Sequence, residues 1–107
     1  MFVHAVYFWL RDDLSPADRA RFVAGVESLL TIESVAHGWV GVPAATDRPV
    51  IERGYSYALV VAFADAAGHD VYQDHPVHDR FRETCAPLWT RMQIFDSVSE
   101  TPHAPAA

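Results

Sequence analysis

The chain has 107 residues, half of them apolar, with fourteen acidic against eight basic side chains. This length suits one domain, and a net charge of −6 excludes the basic surface by which proteins bind nucleic acids and anionic membranes. The apolar share exceeds what the interior of so small a body hides, so we expect an oligomer.

The first strand is predicted over residues 2–11, which are rich in aromatic and β-branched side chains. Both faces of this strand are apolar, so both sides of its sheet should be covered. The apolar run is too short to span a bilayer and no cleavage site follows it, so we expect neither a membrane anchor nor a signal peptide. Ser15 and Pro16 then predict the cap and first residue of a helix.

Two strands are predicted in the middle of the chain. Residues 35–42 form a weaker β segment, and residues 43–54 are typical of a loop. Residues 55–63 alternate most clearly, with Tyr55 and Tyr57 predicted on the same face as Leu59.

Two further helices and a strand follow. We expect Asp65 to cap a short helix that ends near Gln73, and Pro76 to begin a longer one whose apolar stripe reaches Trp89. A last strand is predicted over residues 92–98.

This order, β-α-β-β-α-β with the second helix in two pieces, predicts a ferredoxin-like α+β domain over residues 1–98. Its four-stranded antiparallel sheet carries helices on one face. The other face is apolar as well, so we expect it to form a homodimer with the same face of a second copy. Residues 99–107 lack periodicity and predict a disordered tail.

The densest polar cluster is Tyr-Gln-Asp-His-Pro-Val-His-Asp-Arg-Phe, residues 72–81. His78 and Phe81 share a helical face that looks at the core, so His78 should be partly buried. Burial disfavours the protonated imidazole, which suits a general base, and the Tyr72 hydroxyl can donate to a developing oxyanion. The pair fits proton abstraction next to a carbonyl, and the alternative is a purely structural pair.

The remaining polar candidates point to no metal or cofactor. His4 is expected to be a core residue unless its strand face meets His78. His75 and His78 lack the third protein ligand that zinc normally takes. The single cysteine, Cys85, excludes an internal disulfide, predicts a buried inert thiol and is compatible with the cytoplasm, where we expect the protein. No nucleotide-binding or hydrolase motif is present, and three other histidines are expected in solvated positions: His37, His69 and His103.

Four segments carry a resemblance to a known family. They are the opening strand, residues 54–63, the cluster 72–81 and the Ile-Phe-Asp of residues 94–96. In these segments the chain resembles the Dabb family, the stress-responsive dimeric α/β-barrel proteins. The resemblance implies a homodimer formed through the sheets.

The family includes a plant cyclase that makes olivetolic acid by an aldol condensation without cofactor or metal. The resemblance to it implies that Tyr72 and His78 are catalytic and that His4 lies in their cavity. Tyr57 stands where that cyclase has another histidine of its pocket. By strand parity the remaining lining residues would be Val6, Phe8, Leu59, Phe81 and Ile94.

Two functions follow as hypotheses. The first is a cofactor-independent cyclase or lyase that acts on a polyketide-like or aromatic carbonyl compound, with His78 as base and Tyr72 polarising the carbonyl. The second is a non-catalytic protein that binds a small apolar or aromatic molecule or serves a structural role in the stress response. The wider superfamily also includes oxygenases, so fold alone does not choose a reaction.

Overall fold

The computed structural model describes residues 1–100 and has the predicted order of elements. The strands form one antiparallel sheet in the order β2-β3-β1-β4, which confirms the ferredoxin-like α+β fold. The elements are β1 (Phe2–Leu10), α1 (Pro16–Ser28), β2 (His37–Gly41), β3 (Tyr57–Phe63), α2 (Ala66–Gln73), α3 (Pro76–Cys85) and β4 (Trp89–Val98), with 3₁₀ turns at Leu29–Thr31 and Ala86–Leu88.

The helices begin where the sequence predicts. The Ser15 hydroxyl accepts a hydrogen bond from the Asp18 amide at 3.0 Å, and the Asp65 carboxylate caps α2 in the same way. His75 caps α3 with its ring, since its Nδ1 accepts from the amide of Val77 at 3.1 Å. These caps satisfy amides that have no partner within the helix.

The predicted boundaries of α3 and β4 are wrong, and β2 and β3 each begin two residues later than predicted. Helix α3 ends at Cys85 rather than near Trp89, because Pro87 has no amide hydrogen to donate to the carbonyl of Glu83, and the chain continues as a 3₁₀ turn. Strand β4 therefore begins at Trp89, three residues before the predicted Met92. The tail predicted for residues 99–107 lies outside the described residues except for its first two, of which Ser99 hydrogen-bonds to Met1.

The helices cover one face of the sheet, and this face holds the core. Directly paired residues share a face, so Val6 lies beside Leu59 and Ile94, and His4 lies beside Asp96. The core comprises Val6, Phe8, Phe22, Val26, Leu29, Ile32, Leu59, Val61, Phe63, Tyr72, Phe81, Cys85 and Leu88.

The other face, which we call the open face, carries no helix from residues 1–100. One row across it joins Trp39, Val60, Ala5 and Phe95. Trp39 is 57% exposed and Phe95 60% exposed, so large apolar side chains stand uncovered there. Tyr55 also belongs to this face, contrary to prediction, because it precedes β3 and its ring packs 5.0 Å from that of Tyr7. Within residues 1–100, no helix has the length and apolarity needed to cross a membrane.

Candidate active site

A cavity of about 140 Å³ lies between the helix layer and the sheet. Met92 and Ile94 of β4 line it and are also exposed, so the cavity opens to solvent beside this edge strand. Its wall is mostly apolar with a few polar groups, the usual composition of a small-molecule site. It is lined by His4, Val6, Phe8, Leu29, Leu59, Tyr72, Gln73, His78, Phe81, Arg82, Trp89, Met92 and Ile94.

The structure brings together the predicted site residues except Tyr57. The Tyr57 ring packs 5.4 Å from that of Phe22, and its side chain borders a surface depression at the start of α1. Strand parity assigns Tyr57 correctly to the helix-covered face, but parity carries no information about position along the strand. Tyr57 pairs with Phe8, which lines the cavity, but the Tyr57 ring turns toward Phe22 and does not line it.

Tyr72 stands between the two cavity histidines. Its ring centre is 5.0 Å from that of His78 and 5.7 Å from that of His4. The Tyr72 side chain is 1% exposed, and burial raises the pKa of its hydroxyl well above the usual range. Tyr72 is therefore a neutral proton donor at physiological pH.

His78 is half-buried on α3, and its Nδ1 atom is buried without a hydrogen-bond partner among residues 1–100. Burial, followed by the nearby positive charge of Arg82, lowers the pKa of His78 to about 4. The ring is consequently neutral at pH 7. A buried ring nitrogen that lacks a protein partner is a polar group that a bound ligand can satisfy.

His4 has a fixed partner instead. Its Nδ1 lies 2.5 Å from Oδ1 of Asp96, the residue directly opposite it on β4. His4 is 3% exposed, whereas the Asp96 side chain is 41% exposed. When Nδ1 carries the proton and donates a hydrogen bond to the carboxylate, Nε2 of the neutral ring is left as an acceptor.

Asp96 is a site residue that the sequence reasoning missed, although a signal was present. Asp96 follows Ile94 by two residues, so alternation in an extended strand gives both side chains the same face. Only the register between β1 and β4 places Asp96 opposite His4, and the sequence does not contain that register.

His69 is not the solvated residue that was predicted. It is half-buried, stacks on Phe2 with ring centres 4.4 Å apart, and lies 4.8 Å from the ring of His4. Burial, reinforced by the neighbouring His4, lowers the pKa of His69. The overlooked signal is its spacing of three residues from Tyr72, which places both on one face of α2.

Two histidine clusters differ in their capacity for a metal ion. His75 uses Nδ1 to cap α3 and contacts Glu33 through Nε2 at 3.1 Å, so both ring nitrogens are engaged. His4, His69 and Asp96 offer ligand atoms that all lie within 4.8 Å of one another. They are the one such group of three among residues 1–100.

The family model of the stress responsive A/B barrel domain matches residues 2–99. No curated protein matches the sequence.

Three solved structures are similar over most of the chain. A Dabb family protein with a ferredoxin-like fold from Mesorhizobium loti has a TM-score of 0.74 and 26% identity, covering 94% of this chain and 97% of its own. The hydroxynitrile lyase of Passiflora edulis has a TM-score of 0.74 and 20% identity, covering 95% and 96%. A dimeric ferredoxin-like protein of unknown function from Thermobifida fusca has a TM-score of 0.73 and 20% identity, covering 92% and 90%.

Proposed function

Because the chain belongs to the stress-responsive A/B barrel domain (Dabb) family, we propose that it is a cofactor-independent cyclase or lyase for a small polyketide-like or aromatic carbonyl compound. The observation that carries the proposal is the convergence of His78, Tyr72 and His4 on one mostly apolar cavity. The Passiflora edulis hydroxynitrile lyase, which shares the fold at 20% identity, supports a lyase as one use of this architecture.

In the proposed first step, neutral His78 accepts a proton from the carbon next to the substrate carbonyl. The electron pair of that C–H bond moves into the C–C bond, and the negative charge develops on the carbonyl oxygen. The Tyr72 hydroxyl donates a hydrogen bond to this oxygen. In a cyclisation, the enolate carbon then attacks a second carbonyl of the same molecule, and His78 returns its proton to the new alkoxide.

The charges around the cavity favour the enolate over the neutral substrate. A base whose pKa is about 4 is weak, but an enolate formed beside it raises that pKa by attraction to the new imidazolium. Arg82 lines the same cavity, and its guanidinium, which lies 3.6 Å from Oδ1 of Asp79, adds a partly balanced positive charge near the developing anion. Both groups interact more strongly with the enolate than with the ground state, which is the condition for catalysis.

The cavity limits the size of the substrate. A cavity of about 140 Å³ is close to the roughly 150 Å³ of an apolar protein cavity that binds benzene. The reacting part of the substrate is therefore about as large as one six-membered ring. Longer substituents must leave through the mouth beside Met92 and Ile94.

Asp96 acts in this proposal by holding His4. The carboxylate fixes the orientation of the His4 ring and directs its other nitrogen away from β4. Carboxylates that hydrogen-bond to one nitrogen of a histidine ring commonly fix the orientation of that ring in enzymes. His4 then forms a polar part of the cavity wall next to Tyr72.

The proposal includes a homodimer in which the open faces of two copies pack together. The exposed rings of Trp39 and Phe95 support this arrangement, since a patch of this kind usually marks an interface. The similar Thermobifida fusca protein is described as dimeric. The cavity lies on the opposite side of the sheet, so each subunit keeps its own site.

Hydrogen–deuterium exchange at the methyl group of acetophenone, followed by proton NMR in D₂O, tests the first step with a ring-sized aryl ketone. We expect the protein to accelerate exchange and the variants His78→Gln and Tyr72→Phe each to lose about 100-fold or more of that acceleration, the range typical of an acid–base group. The matched controls His37→Gln and Tyr57→Phe, both outside the cavity, should retain it.

Three results would contradict parts of the proposal. Full exchange activity in His78→Gln would exclude His78 as the base, and full activity in Tyr72→Phe would exclude Tyr72 as the hydrogen-bond donor. Binding of acetophenone without accelerated exchange in the wild type would instead favour a non-catalytic carrier.

A further inference from the structure

We propose that His4, His69 and Asp96 form a binding site for a divalent transition-metal ion such as Zn²⁺ or Co²⁺ at the rim of the cavity. The three residues come from separate elements, β1, α2 and β4, and meet although they are far apart in sequence. This site is distinct from the His78 and Tyr72 pair that carries the proposed proton transfer.

The spacing of the ligand atoms suits one ion. Metal–nitrogen and metal–oxygen bonds of about 2.0–2.2 Å hold ligand atoms roughly 3 to 4 Å apart. The ligand atoms of His4 and Asp96 are closer than this, and all three residues fit within 4.8 Å. An ion can therefore enter with side-chain shifts of about 1 Å, without rearranging the backbone.

The donor set selects the class of metal. Two imidazole nitrogens and one carboxylate are typical ligands of zinc and of other first-row transition ions. Calcium and magnesium require more oxygen ligands than this group provides. Three protein ligands also leave at least one coordination position for water.

The surroundings hold the ligands in place. Phe2 stacks on His69, and the Gln73 side-chain amide lies 2.9 Å from Nε2 of His69, where a flip of the amide brings its oxygen into position to accept from the N–H of a metal-bound ring. Metal-binding histidines commonly have a hydrogen-bond partner of this kind on their other nitrogen. The 41% exposure of Asp96 provides the route from solvent, and the chain's net charge of −6 favours the approach of a cation.

Binding of the metal ion can be measured separately from catalytic turnover. The ion replaces the hydrogen bond between His4 and Asp96, whereas His78 takes no part in binding it. Metal binding is therefore measurable without substrate, and its failure would leave the proposed proton transfer at His78 and Tyr72 standing.

The test is a titration of the chelator-treated full chain with Co²⁺ and Zn²⁺, followed by calorimetry and by the visible absorption of bound Co²⁺. We expect one ion per subunit and no displacement by excess Mg²⁺. His69→Gln and Asp96→Asn should each weaken Co²⁺ binding by about tenfold or more, since even partners of a metal ligand cost that much.

His75→Gln is the matched control, because it removes a histidine that contacts a carboxylate but has no third ligand among residues 1–100. It should bind Co²⁺ like the wild type. Circular dichroism checks the folding of each variant, and His69→Gln, at a half-buried position, carries the test if Asp96→Asn does not fold. Absence of a Co²⁺ signal in the wild type, or unchanged affinity in folded His69→Gln, overturns the proposal.

Discussion

His4 and His78 border the same cavity, yet their surroundings give the two rings different properties. His4 is tied to a carboxylate, whereas His78 faces Arg82 and has a buried nitrogen without a partner among residues 1–100. A paired imidazole keeps its orientation, and an unpaired one is free to exchange a proton with a ligand. This difference assigns the proton transfer to His78 and a positioning role to His4.

The acid limb of kcat/KM should report the pKa of His78 in the free protein. Because only the neutral ring accepts a proton, activity should stay level from pH 8 to about pH 5 and fall as the ring protonates near pH 4. An unperturbed histidine would lose activity already below about pH 6.5. The measurement is a pH–rate profile of the exchange reaction.

The variant Arg82→Gln removes a positive charge that disfavours the imidazolium, so the same limb should move to higher pH. His4 and His69 also disfavour protonation of His78, and Asp79 favours it, but these groups are unchanged in the variant. Asp79→Asn is the opposite control and should move the limb to lower pH. A limb that stays in place in both variants contradicts the assignment to His78.

The sequence correctly predicted those side-chain positions that depend only on spacing along one helix or strand. The three-residue step from His78 to Phe81 correctly predicted a half-buried histidine. The pairing of His4 with Asp96 depends on how two strands align over a separation of 92 residues. Such register arises from the packing of the whole sheet and is not encoded in any local pattern.

The two long helices approach each other closely where α1 carries Gly25 and α3 carries Cys85. A Cβ atom added to Gly25 would lie 2.5 Å from the Cys85 sulfur, inside van der Waals contact. The glycine is therefore required by helix packing rather than by backbone conformation, since no residue from 1 to 100 needs a positive φ.

We expect Gly25→Ala to lower the free energy of unfolding by about 1–3 kcal/mol, the usual cost of overpacking a core. Urea denaturation provides the measurement. Gly41→Ala is the control when measured on the monomer, because Gly41 lies on the open face and no atom of residues 1–100 outside its chain neighbours is within 4 Å of the added Cβ, so it should be nearly neutral.

A double variant identifies the cause. In the Cys85→Ala background the sulfur is gone, so Gly25→Ala should cost less than it does in the wild type. An equal cost in both backgrounds would contradict the proposed contact.

The β-bulge between β1 and β4 could not be predicted from the sequence. Between Trp9 and Leu10 of β1 the pairing with β4 skips one residue, so Leu10 pairs with Trp89 while Trp9 pairs with Arg91. This bulge turns Trp89 toward the helices, where its ring lies 5.6 Å from that of Phe81. Simple alternation would have placed Trp89 on the same face as Arg91, away from the cavity.

Residues 1–100 form a two-layer body in which the helices cover one side of the sheet and leave the other uncovered. The excess of apolar residues for a chain of this length corresponds to the open face. The order of elements and the two-sided apolar strand were sufficient to predict this layout. The positions of individual side chains, such as the face on which Tyr55 lies, could not be predicted without the packed structure.

The proposed dimer should dissociate when a charge is placed on the open face. Phe95→Glu puts a carboxylate in the row that holds Trp39, so we expect the sedimentation coefficient to fall to that of a monomer in analytical ultracentrifugation. Val50→Glu is the control, because Val50 is 89% exposed in the loop before β3 and lies in no row of the sheet. A Phe95→Glu protein that sediments as a dimer would place the interface elsewhere.

Strand β4 belongs to both sides of the molecule. Met92, Ile94 and Asp96 face the helices, while Arg91, Gln93 and Phe95 alternate with them on the open face. Even-numbered positions can therefore be randomised in a library to alter ligand preference while the odd-numbered ones conserve assembly. A single inserted or deleted codon within this strand would exchange the two sets and is expected to disrupt both properties together.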